Sequence, residues 1–145
     1  MEELLTLRQH LEHQRYDEAL LLISEMEEMS RDDKLNRIGS FAIILLLHLI
    51  KQAAEKRTTR SWDVSIRNAI WEIGRINKRR KAGGYYLDDA DLKETLAEAF
   101  PVALAKASLE AYEGQYREEE LQHMIDQEAI LQKAYVLISN QHTTN

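Results

Sequence analysis

The spacing Glu120-x-x-His123 is the most specific arrangement of potential metal ligands in this chain of 145 residues. Helical bundles that hold two iron ions use this carboxylate–histidine spacing, but they need two such motifs and two further glutamates on facing helices. The chain contains no second Glu-x-x-His, and it has no cysteine to supply a thiolate. His10 and His13, beside Glu12, are expected on the surface, where they would hold a metal only weakly. The sequence therefore predicts no metal site and no cofactor.

One histidine, His48, lies in the most apolar stretch of the chain, with Lys51 one helical turn later. A buried imidazole needs a hydrogen-bond partner, and Ser61 or Ser65 on the following helix could supply one. The competing interpretation is a catalytic base, but no acidic residue in this motif is placed to orient the ring. A structural role is therefore predicted for His48, and no catalytic residue is assigned.

Charge is unevenly distributed along the sequence. The chain carries 19 Lys and Arg against 25 Asp and Glu, a formal net charge of −6. Between Lys51 and Lys81 there are ten bases and three acids, a balance of +7, whereas the remainder carries nine bases and 22 acids, a balance of −13. Such a basic segment either packs among acidic helices of its own protein or forms a face for an anionic partner.

The second interpretation depends on a helix predicted from Ser61 to about Arg80. At about 100° per residue its apolar side chains form one stripe, and Trp71 lies on the opposite side with Arg67 and Arg75 one turn away. Such an exposed Trp could bind an acidic protein, including a second copy of this chain, or stack on a nucleic-acid base. In the alternative, the bundle encloses this helix and buries Trp71 beneath arginine side chains. The candidate binding residues are Arg60, Arg67, Trp71, Arg75 and Lys78.

Composition and apolar periodicity predict that these residues are positioned by helices alone. Five Gly and one Pro accompany abundant Leu, Ala, Glu, Lys and Arg, which favour helix. Apolar spacing predicts helices over 2–13, 17–29 and about 33–56, the last apolar on every side and capped by Asp32 or Asp33. Gly39 in that helix is expected where two helices approach closely. The apolar run from Phe41 to Ile50 is shorter than the roughly 20 residues of a membrane span, so a core helix and no membrane contact are expected.

The second half of the chain is also predicted to be helical. Ser61 is the expected N-cap of the helix that ends before Gly83. Further helices are expected over 92–112 and 117–138, the first kinked or broken near Ala97–Phe100 because of Pro101. The predicted fold is an all-α, single-domain bundle of five or six helices over residues 1–139, followed by a frayed tail, 140–145. The acidic N-terminus and the absence of cysteine fit a cytoplasmic protein.

Three segments of this sequence, SEMEEMS at 24–30, LLHLIK at 46–51 and SWDVSI at 61–66, resemble the motifs of one bacterial family. That family is known as domain of unknown function twenty-nine, and the resemblance extends over about residues 16–75. It implies an all-α fold and no established activity. It also marks family-motif positions with predicted structural roles, namely His48, Lys51, Ser61, Trp62 and Ser65.

The spacing Arg117-x5-His123 is similar to the loose Arg-x(4–6)-His pattern of the all-α HEPN ribonucleases. Roughly one chance match is expected in a chain of this composition. Two occur, the other being Arg8-x4-His13. The sequence therefore predicts a non-catalytic module for protein interaction or homodimerisation. The alternative is a role linked to nucleic acid, through binding by the basic face or through a HEPN-like ribonuclease activity.

Overall fold

The computed structural model describes residues 2–79 and 83–143, and these form six α-helices and one short 3-10 helix. Within the described residues there is no strand, and Lys78 and Tyr85 form an isolated bridge. The predicted all-α fold with five or six helices is therefore confirmed. The helices are α1 (Glu2–Glu12), α2 (Tyr16–Glu55), α3 (Arg60–Asn77), α4 (Asp89–Glu110), α5 (Glu118–His123) and α6 (Gln127–Thr143), with the 3-10 helix at Ala111–Gly114.

The chain divides into two compact units, Met1–Leu35 and Asn36–Asn145, and α2 contributes residues to both. In the first unit, Ala19 is buried, whereas α1 has no buried residue. The second unit contains the main core, to which α2, α3, α4, α5 and α6 all contribute. The prediction of one domain over residues 1–139 stays a prediction. The largest fully buried side chains are Phe100, Ile38, Leu45, Leu46, Ile50, Ile73, Leu96, Leu121 and Ile138.

Helix α2 is one continuous helix of 40 residues, where the sequence predicted two helices separated near Asp32 and Asp33. Both aspartates are exposed inside the helix. An aspartate begins a helix only where the preceding backbone is not helical, and no Gly or Pro interrupts residues 16–38. The apolar character predicted for the later part of the helix is confirmed, since Leu45, Leu46 and Ile50 are fully buried.

Length and composition of α2 also meet the criteria for a membrane-crossing helix over an 18-residue window. Half of that window is buried inside the protein. The core helix of a globular protein meets the same criteria, so this one helix is weak evidence for a membrane. The absence of membrane contact stays a prediction.

The later helix boundaries differ from the predicted ones. Helix α4 is not broken at Pro101, and Ala97, whose carbonyl oxygen loses its donor there, is exposed and can be hydrated. The helix predicted over 117–138 is two helices, because the Asp126 carboxylate accepts from the Ala129 N–H at 3.2 Å and begins α6. Residues 140–143 of the predicted tail are helical, while 144 and 145 lie outside the described residues, as does Arg80.

Two glycines inside helices differ in the free space around them. A Cβ atom built on Gly39 would meet no atom within 4 Å, whereas one on Gly74 would lie 2.7 Å from Oε1 of Gln141. The expected close approach at Gly39 is therefore wrong, and such an approach occurs where α3 meets α6. Helical periodicity shows on which side of its helix a glycine lies, but it does not show whether another helix packs closely against that side.

Replacing Gly39 by alanine is expected to raise the free energy of unfolding by about 0.5–1 kcal/mol, because alanine restricts the unfolded chain and fits without contact. Urea unfolding followed by circular dichroism measures the change. Gly74→Ala is the matched control, since it has the same propensity gain but must displace the Gln141 side chain. A Gly39→Ala protein less stable than the original would contradict the open surroundings of this residue.

Candidate functional site

Helix α3 is amphipathic, and its buried side faces the core. The helix begins where Thr59, in extended conformation, accepts a hydrogen bond from the Trp62 N–H through Oγ1 at 3.1 Å. Thr59 is therefore the N-cap, and the prediction of Ser61 is wrong because Ser61 is already helical and exposed. The buried side comprises Trp62, Ile66, Ala69, Ile73, Ile76 and Asn77.

The opposite side of α3 carries a row of exposed side chains, here called the basic stripe. Its members lie within an arc of about 80° at about 100° per residue, and the row is about 27 Å long at 1.5 Å per residue. All five predicted binding residues belong to it, and each is exposed. Their role in binding stays a prediction. The basic stripe comprises Arg60, Val64, Arg67, Trp71, Arg75 and Lys78.

The indole of Trp71 is the central apolar group of the basic stripe. Its exposed fraction is 53%, so the bundle does not bury it. The Arg75 guanidinium carbon lies 5.3 Å from the ring centroid, within the range of a cation–π contact. The same guanidinium donates to the Glu72 carboxylate at 2.7 Å. Arg75 is thus held over the ring while about half of Trp71 remains exposed.

Trp62, on the buried side, is the centre of a second group, here called the Trp62 cluster. Its ring, 9% exposed, has the Lys51 Nζ 4.6 Å and the Arg57 guanidinium carbon 4.8 Å from its centroid. The Lys51 ammonium also donates to the Glu110 carboxylate at 3.0 Å, and Arg57 pairs with Glu55 at 2.9 Å. Both cations are therefore paired within the cluster. The Trp62 cluster comprises Lys51, Glu55, Arg57, Trp62, Glu110 and Tyr112.

The turn after α4 completes this cluster. Tyr112 and Glu113 both have left-handed backbone conformations, with φ of 49° and 57°, which cost free energy in residues other than glycine. The Tyr112 hydroxyl donates to the Ala54 carbonyl oxygen at 2.6 Å and so ties the turn to the end of α2. Residues of the cluster line a cleft of about 390 Å³. Its charges pair with one another, and the structural role of Lys51 and Trp62 stays a prediction.

Four members of this cluster were not indicated by the sequence, namely Glu55, Arg57, Glu110 and Tyr112. The signal that could have found Glu110 is the buried Lys51, because an ammonium inside an apolar helix needs a carboxylate partner. That requirement predicts an acidic partner without saying which of the chain's 25 acids it is.

The remaining predicted motif residues occupy ordinary helical positions. His48 is half-buried, and its Nδ1 donates to the Ile44 carbonyl oxygen at 2.8 Å, one turn earlier in α2. The predicted partners Ser61 and Ser65 are therefore wrong, since the hydrogen bond of the ring goes to a carbonyl oxygen of the same helix. Ser65 is half-buried. Among residues 2–79 and 83–143, no acidic side chain hydrogen-bonds to His48 as an orienting acid would.

The two residues of the ribonuclease-like pattern, Arg117 and His123, are both exposed and lie at opposite ends of α5. Arg117 immediately precedes the helix and lines a cleft of about 430 Å³ together with Glu118 and Glu119. His123, at the end of α5, does not line that cleft. In the described part of the chain, no three His, Cys, Asp or Glu side chains are grouped as metal ligands. Arg117 and His123 therefore do not line one cleft together, whereas the residues of the basic stripe are all exposed on one side of α3.

Comparison with known proteins gives a family without an activity. None of the curated proteins and none of the solved structures matches the chain. One family model, described as Domain of unknown function DUF29, matches residues 4–136. This match includes the C-terminal helices as well as the segment 16–75 in which the motifs lie. The chain therefore belongs to the family of domain of unknown function DUF29.

Proposed function

We propose that the protein is a non-catalytic interaction module whose basic stripe binds an acidic surface of a protein chain. The observation that carries this proposal is Trp71, a 53% exposed indole in the middle of a row of four cations. Tryptophan and arginine are the residues that most often dominate the free energy of protein interfaces. A partner that covers the exposed part of Trp71 would bury apolar surface, which favours binding. The cations on both sides would orient an acidic partner.

The stripe's cations are largely available for such a partner. Within residues 2–79 and 83–143, Arg60, Arg67 and Lys78 form no ion pair, and Arg75 pairs with Glu72. The available cations lie on both sides of Trp71 along the helix. An acidic surface with an apolar side chain at its centre is therefore complementary to the stripe.

An acidic protein surface fits the stripe better than a nucleic acid does. A nucleic-acid backbone is a continuous row of phosphates, and the net charge of −6 on the whole chain weakens the long-range attraction for such a polyanion. Glu72 and Asp63 also lie on the two flanks of the stripe, where a nucleic-acid backbone would approach them. On a protein surface the carboxylates are separate groups, so their spacing can keep them away from these flanking acids. The experiment below therefore distinguishes binding of an acidic protein surface from binding of nucleic acid.

The test uses a fluorescently labelled helical peptide with glutamates on one side and leucines at the centre of that side. Binding to the protein, followed by anisotropy, is expected to weaken at least about tenfold in Arg67→Glu/Arg75→Glu and in Trp71→Ala. Binding by the charge-reversed protein is also expected to lose its dependence on salt concentration. Lys106→Glu/Lys133→Glu is the matched control, because it changes net charge equally at exposed positions outside α3.

The proposal fails if the stripe variants bind the acidic peptide as well as the control does. It also fails if a labelled single-stranded DNA oligonucleotide binds tightly through the same residues while the acidic peptide does not. That second result would assign the stripe to nucleic acid.

A further inference from the structure

The negative charge of this protein is concentrated in its first compact unit. Residues 1–35 contain ten acids and four bases, a balance of −6, whereas residues 36–145 contain 15 of each. All ten acids of the first unit are exposed. The same unit exposes seven large apolar side chains, which mark an interaction surface where they are contiguous. These exposed apolar residues are Leu4, Leu5, Leu11, Tyr16, Leu20, Leu21 and Met29.

One side of α2 in this unit combines both properties in a single row, here called the acidic stripe. Its five residues lie within an arc of about 80° at about 100° per residue, and all are exposed. Leu21, its apolar member, has an exposed fraction of 66%. The opposite side of the helix carries the buried Ala19 and the half-buried Met26. The acidic stripe comprises Asp17, Leu21, Glu25, Glu28 and Asp32.

The acidic stripe and the basic stripe have matching residue spacing. From Arg60 to Arg75 the basic stripe advances by four, three, four and four residues, and the acidic stripe read backwards from Asp32 to Asp17 advances by the same steps. Two antiparallel helices with 1.5 Å rise per residue would therefore stay in register over about 22 Å. The residues that this register places opposite each other are Arg60 and Asp32, Val64 and Glu28, Arg67 and Glu25, Trp71 and Leu21, and Arg75 and Asp17.

We propose that the protein associates with a second copy of itself, with the acidic stripe of one copy packed antiparallel on the basic stripe of the other. This inference rests on the proposed function and names the partner of the basic stripe. Three ion pairs would surround one apolar contact, between Trp71 and Leu21. That arrangement has an aromatic residue at the centre and charges at the rim, as interfaces with strong central contacts do. Val64 opposite Glu28 is the one position without complementary chemistry.

Charge reversal tests the pairing in the full chain. Arg67→Glu/Arg75→Glu and Asp17→Lys/Glu25→Lys reverse the two sides of the same two ion pairs. Each variant alone is expected to self-associate more than about a hundredfold more weakly than the original protein, because like charges face each other. An equimolar mixture of the two is expected to associate again, as is the variant that carries all four substitutions. Sedimentation velocity over a wide range of protein concentration measures this, with Lys106→Glu/Lys133→Glu as the control for the change in net charge of Arg67→Glu/Arg75→Glu.

Cross-linking tests the register. The chain has no cysteine, so Glu28→Cys and Val64→Cys can be introduced into separate proteins without removing a complementary contact. A short bismaleimide reagent is expected to join these two proteins when they are mixed. A mixture of Glu28→Cys with Glu98→Cys, which lies exposed on α4, is expected to give no such product. Equal yields from both mixtures would overturn the antiparallel register.

The outcomes separate this inference from the function on which it rests. If the original protein is monomeric at every concentration but still binds the acidic peptide through Trp71, self-association is overturned and the proposed function stands. If the protein is monomeric and the peptide does not bind, both are overturned. Restored association in the mixture and in the fourfold variant would establish the pairing, because no general change in charge or stability restores binding in that pattern.

Discussion

Replacing Trp62 by alanine is expected to lower the free energy of unfolding by about 3–5 kcal/mol, the range for deleting a large buried aromatic side chain. Trp62 is 9% exposed, and its removal leaves a cavity between α2 and α3. It also removes the ring over which Lys51 and Arg57 lie, 4.6 Å and 4.8 Å from its centroid. Urea unfolding followed by circular dichroism measures the loss, since the helical signal of α3 disappears with the core.

The control for this prediction is the other tryptophan of the same helix. Trp71→Ala is the same chemical change nine residues later, but Trp71 is 53% exposed, so its effect on unfolding is expected to stay below about 1 kcal/mol. The opposite order is expected for binding, because Trp71→Ala weakens the complex with the acidic peptide more than Trp62→Ala does. Equal losses of stability in both would mean that Trp71 belongs to the core.

The basic stripe could be predicted from the sequence because it depends on one helix alone. Once α3 is recognised as helical, its turn of about 100° per residue determines which side chains share a side, whatever packs against the helix. The apolar stripe containing Trp62 then had to face the core, and Trp71 followed on the opposite side. The continuity of α2, in contrast, could not be predicted from local signals. Asp32 and Asp33 resemble N-caps, but a local signal does not end a helix whose backbone hydrogen bonds are all satisfied.

The Trp62 cluster could not be predicted in full because its contacts join distant parts of the chain. Lys51 and Glu110 are separated by 59 residues, and no periodic pattern relates them. The left-handed conformation of Tyr112 has no sequence signal either, since glycine is the residue that usually marks it. Tertiary contacts, such as the hydrogen bond from Tyr112 to the Ala54 carbonyl oxygen, maintain this conformation. Such a conformation becomes evident only when the surrounding helices are in place.

Replacing Glu110 by alanine is expected to lower the free energy of unfolding by about 2 kcal/mol, because the Lys51 ammonium would lose its carboxylate inside the protein. Lys51 is 7% exposed, whereas the Glu110 side chain is 49% exposed, so water reaches one end of this ion pair. That partial access places the expected loss below the value for a fully buried pair. Urea unfolding of the single variants and of the double variant measures it.

Lys51→Met provides the decisive comparison, because methionine fills a similar volume against Trp62 without a charge to bury. Its stability is expected to stay within about 1 kcal/mol of the original protein, as with other buried ion pairs replaced by apolar side chains. Adding Glu110→Ala to Lys51→Met should then cost less than about 0.5 kcal/mol, since the carboxylate no longer serves a buried cation. The difference between the two backgrounds isolates the ion pair, and it should persist at high salt because Lys51 is shielded from solvent ions. If Glu110→Ala costs the same in both backgrounds, the carboxylate stabilises the turn after α4 and not the buried ammonium.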